Sequence, residues 1–168
     1  MPLTLDGNGD IAGLVAGALP ANVIGAGGIL QVVSSTNVDN SSTSGGAYAD
    51  TGLTASITPT SSSSKILVLI SATLGCSGYN AGLNGVANFQ LVRNSSNVYV
   101  SAISTYNYTS AASGGISSIT PAALSYVDSP ATTSSTTYKL QLKNTSGSSA
   151  YFNTDSGHST ITLMEIAQ

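Results

Sequence analysis

The stretch TYKLQLK at residues 137 to 143 sets Tyr138, Leu140 and Leu142 on one side of an extended chain and Lys139 and Lys143 on the other. Successive side chains of a strand point to opposite faces. The segment therefore predicts a half-buried strand with the tyrosine and leucines inward and both lysines in water. The same period of two recurs in GLTASIT (52–58) through Leu53, Ala55 and Ile57, in VANFQLVR (86–93) through Ala87, Phe89 and Leu91, and in NVYVSAIS (97–104) through Val98, Val100 and Ala102. KILVLISATL (65–74) is apolar on both faces, the pattern of a central strand. ILQVV (29–33), SAYF (149–152), TITLMEIA (160–167) and two further runs at 116–119 and 123–127, the second closing at Asp128 ahead of Pro130, complete the set. NVDNSSTSGG (37–46) reads as a loop.

Eight to ten short strands between Ser-, Gly- and Asn-rich turns, with no amphipathic helix, specify an all-β protein. The expected architecture is a jelly-roll-like antiparallel β-sandwich over residues 29–168. No fixed-period repeat is present, which disfavours a propeller or β-helix.

Residues 1–28 have a different texture. Seven glycines, from Gly7 to Gly28, interleave with Leu3, Leu5, Ile11, Leu14, Val15, Leu19, Val23 and Ile24. No helical or strand period persists, and the glycines oppose a stable regular element. Such text can order by burying its apolar side chains in the groove of a partner. Those eight residues are the candidate partner-binding set of an irregular N-terminal arm. No charge occurs between Asp10 and Asp39, a length that could span a bilayer, but Pro20, Asn22, Gln31 and the repeated Gly and Ala dilute the run. The arm reading is preferred to a membrane span. Asp6 and Asp10 stand where a secretory signal would carry basic residues, which argues against a leader.

Four Lys and Arg against seven Asp and Glu leave a net charge of −3, with only 7% of residues charged, where an average domain carries about 25%. Ser and Thr supply roughly three residues in ten, so the surface is solvated by hydroxyls and amides. Little mutual repulsion remains, and such a surface favours self-association. Lys65, Arg93, Lys139 and Lys143 are too scattered to track phosphates, so neither nucleic acid nor an anionic membrane is an expected partner. The eight tyrosines fall in two settings. Tyr99, Tyr138 and Tyr151 lie in strands, as core-edge residues, whereas Tyr79, Tyr106 and Tyr108 lie in polar loop text where rings could meet a protein or a sugar.

No constellation supports catalysis. His158 in DSGHS has Asp155, Ser156 and Ser159 beside it, but a triad converges from separate elements, and no GxSxG elbow accompanies it. DGNGD (6–10) opens like a calcium loop through Asp6, Asn8 and Asp10, then fails where Ile11 and Gly17 replace the required Gly and Glu. Cys76 is alone and makes no intrachain bridge. Sequons at Asn40, Asn94, Asn107 and Asn144 match what chance gives in so Ser/Thr-rich a chain. No cofactor and no metal are implied.

The segments PLTLDGNGDIAGL, GILQVV and DTGLTASITPTSSSSKILVLISA resemble segments of structural proteins of tailed bacteriophages, notably capsid-decoration and tail-fibre proteins. The similarity covers the first half of the chain, to about residue 75. It implies homotrimeric β-knobs fixed by N-terminal extensions, non-enzymatic and located on the outer surface of the phage capsid, with the major capsid protein as partner. Two roles are open. One is a cement protein bridging major capsid proteins, and the other is a tail-fibre or head-fibre tip that binds a host receptor or glycan. A tip normally closes a shaft of repeats or heptads, and the lack of either favours cement.

Overall fold

The computed structural model describes residues 4–5, 11–12, 25–78, 85–105, 116–146, 149–154 and 157–168. Among these, twelve strands form: β1 (Thr4–Leu5), β2 (Ile11–Ala12), β3 (Ile29–Asn37), β4 (Ser41–Thr43), β5 (Ala49–Ile57), β6 (Lys65–Gly78), β7 (Gly85–Arg93), β8 (Ser96–Thr105), β9 (Ile116–Asp128), β10 (Thr136–Ser146), β11 (Ser149–Phe152) and β12 (Ser159–Ile166). β1 and β2 form a separate antiparallel pair, with Leu5 opposite Ile11.

The eight long strands pair as one folded-over hairpin. β3 pairs β12, β5 pairs β10, β6 pairs β9, and β7 pairs β8, all antiparallel. Successive pairs alternate between two sheets, joined by the ladders of β12 with β6 and β10 with β7. Sheet I is β3-β12-β6-β9 and sheet II is β5-β10-β7-β8. Counting only the long strands in chain order, the orders are 1-8-3-6 and 2-7-4-5, the nested double Greek key of a jelly roll. The expected antiparallel sandwich is what forms. β6 outruns β12, and its last residues pair β11, which in turn pairs β4, so sheet I stays four strands wide along its length.

The alternating residues close the core. Leu53, Ala55 and Ile57 of β5 and Tyr138, Leu140 and Leu142 of β10 face Ile66, Val68 and Ile70 of β6 and Ile161 and Leu163 of β12, all buried. β6 sits centrally in sheet I, and its outward Leu67 and Leu69 remain half-buried between neighbours.

Three local departures from the sequence pattern have physical causes. The expected strands at 116–119 and 123–127 are a single β9 running through Pro121, opposite Thr73. Among the described residues β9 pairs only β6, so the proline, which lacks an N–H, is tolerated on the open edge. In β8 the register slips between Leu91 and Val92, opposite Tyr99 and Asn97. This bulge turns both Val98 and Tyr99 to the core and leaves Val100 51% exposed, so the alternation through Val98 and Val100 does not hold. The loop expected at 37–46 contains β4, held by the Thr43–Ala150 and Ser41–Phe152 pairings.

A second bulge lies in β5, where Thr51 to Leu53 stand between the Asp50–Gln141 and Thr54–Lys139 pairings. The Thr51 hydroxyl donates to Leu140 O at 2.8 Å and accepts from Leu53 N at 3.2 Å. Gly52 takes φ +84°, and a Cβ there would lie 2.7 Å from Asn37 Nδ2. Glycine answers both demands at this position. Replacing Gly52→Val should cost about 2 kcal/mol from backbone strain and displacement of Asn37, read as a Tm lowered by roughly 4–8 °C. An unchanged Tm would show that the bulge relaxes freely.

Candidate functional site

The nested pairing sorts the connections to two ends of the sandwich. Residues 58–64, 94–95 and 129–135 join strands at one end, where β3 starts and β12 finishes. The connections β3 to β5, β6 to β7, β8 to β9 and β10 to β12 leave from the other. The chain enters the sandwich through backbone bonds from Gly27 N to Ala167 O and from Ala167 N to Gly28 O, both 2.9 Å. The first described residues of the sandwich and its last residues therefore share one end, named the arm end after the arm expected over residues 1–28. The opposite end is the loop end.

Two buried carboxylates lie at the arm end in one row of sheet I, where Gln31, Glu165, Ile66 and Asp128 are register neighbours. Glu165 is fully buried. Its Oε1 accepts from Thr60 N at 2.7 Å and Thr60 Oγ1 at 2.8 Å, and its Oε2 accepts from Gln31 Nε2 at 2.6 Å. Gln31 Nε2 also donates to Thr58 O at 2.7 Å, so one carboxylate ties β12 and β3 to the β5–β6 turn. Burial pushes the carboxyl pKa up, but the hydrogen bonds outweigh it and hold the group below the usual glutamate range.

Asp128 at the end of β9 accepts from Arg93 Nη1 at 2.9 and 2.8 Å and from Tyr138 Oη at 2.6 Å. Arg93 and Tyr138 are register partners in sheet II, so this cluster crosses the core and clamps the two sheets. Burial, then the bond to Asp128, raises the tyrosine pKa far above its ordinary value and keeps the phenol a donor. At the loop end a third polar hub forms. Buried Asn153, with φ 56°, donates through Nδ2 to Asn37 O at 2.7 Å, and Ser159 Oγ donates to Asn153 Oδ1 at 2.5 Å while accepting from Thr73 N at 3.1 Å.

The arm residues Leu3, Leu14, Val15, Leu19, Val23 and Ile24 lie outside the described residues, as do Asp6, Asn8, Asp10, Tyr79, Tyr106, Tyr108, Asn107, Asp155 and Ser156. Leu5 and Ile11 are placed only as paired backbone. His158 is exposed, whereas the Ser159 hydroxyl is committed to Asn153 and Thr73. Of the strand tyrosines, Tyr138 is fully buried, Tyr99 packs its ring on Tyr126 at 5.7 Å, and Tyr151 Oη meets Ser77 Oγ at 3.1 Å. The two carboxylate clusters escape a motif search but leave a periodic trace. Glu165 and Asp128 occupy the inward parity of Ile161-Leu163 and Leu124-Tyr126, and a carboxylate on a buried face demands partners.

Fold and site together define a jelly-roll domain whose described sandwich carries its polar clamps and its N-terminal entry at one end. No protein-family model matches the chain, and no curated protein does. Among solved structures it is similar to the infectious bursal disease virus VP2 subviral particle, at 18% identity over 82% of this chain and 38% of that one, with a TM-score of 0.35. Infectious bursal virus derived T=1 particles match at 12% identity over 84% of this chain and 37% of that one, with a TM-score of 0.37. The chain thus spans less than two fifths of the length of these structures' chains. The jelly-roll assignment rests on the strand order, not on that likeness.

Removing the arginine from a buried carboxylate strands that charge, whereas a pair with an exposed carboxylate is screened by water. Arg93→Ala should destabilise by about 3 kcal/mol. Lys139→Ala, whose partner Asp50 is 56% exposed at 2.9 Å, should cost well under about 1 kcal/mol. Equal losses in denaturant unfolding would refute the clamp. The Glu165 carboxyl has its pKa lowered in the folded chain, so its stabilisation is complete above the ordinary value of 4.5 and is lost as pH falls towards the folded-state value. Between about pH 5 and pH 3, the Tm of the native protein should therefore fall more steeply than that of Glu165→Gln. Parallel slopes would place the acid sensitivity elsewhere.

Proposed function

We propose that this chain is a non-enzymatic structural protein of a virus particle, and within that class a cement or decoration protein on the outer surface of a phage head. The single observation that carries the reading is positional. The glycine-rich apolar text of residues 1–24 precedes a sandwich whose first bonded residues, Gly27 and Gly28, sit at the arm end beside Ala167. An apolar segment joined at one end can be buried in neighbouring major capsid proteins while the opposite end stays free. Jelly rolls build viral capsid and lectin domains alike, and a fold does not by itself assign a role. The charge-poor composition supports a chain whose surface is buried in a fixed assembly, with a homotrimer as the proposed unit.

In mechanism, each copy adds a modest contact energy, and many symmetry-related copies together slow the local opening that precedes rupture of a filled shell. The role asks nothing of a nucleophile, and the Ser159 hydroxyl is engaged in the fold. One observation favours a second reading. The connections that contain Tyr79, Tyr106 and Tyr108 start from strand ends Gly78 and Thr105 at the loop end, away from the arm, where a receptor-binding tip would present them.

Removing residues 1–24 should leave a folded domain, by circular dichroism and thermal unfolding, that no longer joins particles. Particles lacking the whole protein should keep normal shape and adsorption but release DNA at lower temperature. Abolished adsorption with an unchanged release temperature would reject cement and favour the tip. Undiminished binding of the truncated form would reject the arm as the attachment device.

A further inference from the structure

The outer face of sheet I is nearly free of charge. Across its arm end, Val32, Met164, Leu67 and Val127 form one register row that crosses all four strands. Val32 is 54% and Val127 51% exposed, at the two flanks of that row. The next rows towards the loop end are Ser34, Thr162, Leu69 and Ser125, then Thr36, Thr160, Ser71 and Ala123. Of the described outward side chains on this sheet, only Lys65 carries a charge. Sheet II differs, because its outward positions on β5 and β10 include Asp50, Lys139 and Lys143.

We infer that the outer face of sheet I is the surface on which a second copy of this chain docks. Two properties single out that occupant. The first is self-complementarity. A face bearing charges of one sign repels its own copy, but hydroxyls both donate and accept, and an apolar row meets an apolar row without regard to sign. The second is area. Four strands about 4.8 Å apart and a β9 of 13 residues, rising about 3.3 Å each, give a face of about 800 Å². Stable protein interfaces bury about 800 Å² per partner. The face is therefore large enough without help from the arm.

This inference rests on the self-association in the proposed function, but a face that meets its own copy is isologous and closes at two chains, so it gives a dimer where a homotrimer was proposed. It is tested apart from particle attachment. Native mass measurement of the full chain at tens of micromolar should show a dimer. The double variant Val32→Glu, Val127→Glu places two carboxylates on each docking face. It should run as a folded single chain, its association weakened at least about a hundredfold by like-charge contact. Val100→Glu adds a charge at an equally exposed valine on the edge of sheet II, and it should leave the oligomer intact. An oligomer that survives the double variant would overturn the assignment of the face while keeping the oligomer itself. Dissociation by Val100→Glu as well would also overturn it, by showing that any added charge suffices. A native protein that is a single chain would overturn both, leaving the face to the arm or to the particle.

Discussion

The backbone ladder of β6 is the constraint on which the rest depends. This strand, Lys65–Gly78, bonds to β9 on one side along its length and to β12 and then β11 on the other. β12 carries β3, and β11 carries β4, so sheet I is assembled on one segment. Only a strand apolar on both faces can take that position, because its inward side chains fill the core while its outward ones are shaded by neighbours on both sides. The remaining pairings follow from folding the same hairpin across the two sheets.

Apolar burial alone would let two such sheets slide, since it has no direction. The direction comes from the polar clusters at the ends. Asp128 reaches from sheet I to Arg93 and Tyr138 in sheet II, and Glu165 holds the β5–β6 turn through Thr60. Each carboxylate is nearly or wholly buried, and each is met by several donors. Breaking either cluster leaves an unpaired charge inside the protein, and that penalty is what fixes the register of the sheets at the end where the chain enters.

The scarcity of charge has opposite effects inside and outside. Inside, few carboxylates need partners, and the buried ones described have them. Outside, hydroxyl-rich strands solvate the domain with short side chains that lose little entropy when covered. A surface of this kind is poorly defended against its own copies, which is a liability for a free monomer and an advantage for a component of an ordered shell.

The all-β class, most strand positions and the inward parity of β5, β7 and β10 were legible in the sequence, because a period of two between turn residues has one physical solution. The change of texture over residues 1–28 was legible too, although a partner for that segment was not. Tertiary structure decided the rest. The runs 116–119 and 123–127 read as two strands until β9 proves to be one edge strand that carries Pro121, and Val100 reads as core until a bulge at Val98 reverses the parity behind it. Glu165 and Asp128 look like ordinary strand-end charges, since their partners lie 105 residues away at Thr60 and 35 away at Arg93. Likewise Val32, Met164, Leu67 and Val127 are four unrelated residues along the chain. Only antiparallel pairing, whose register is set across strands and not along them, brings them into one row.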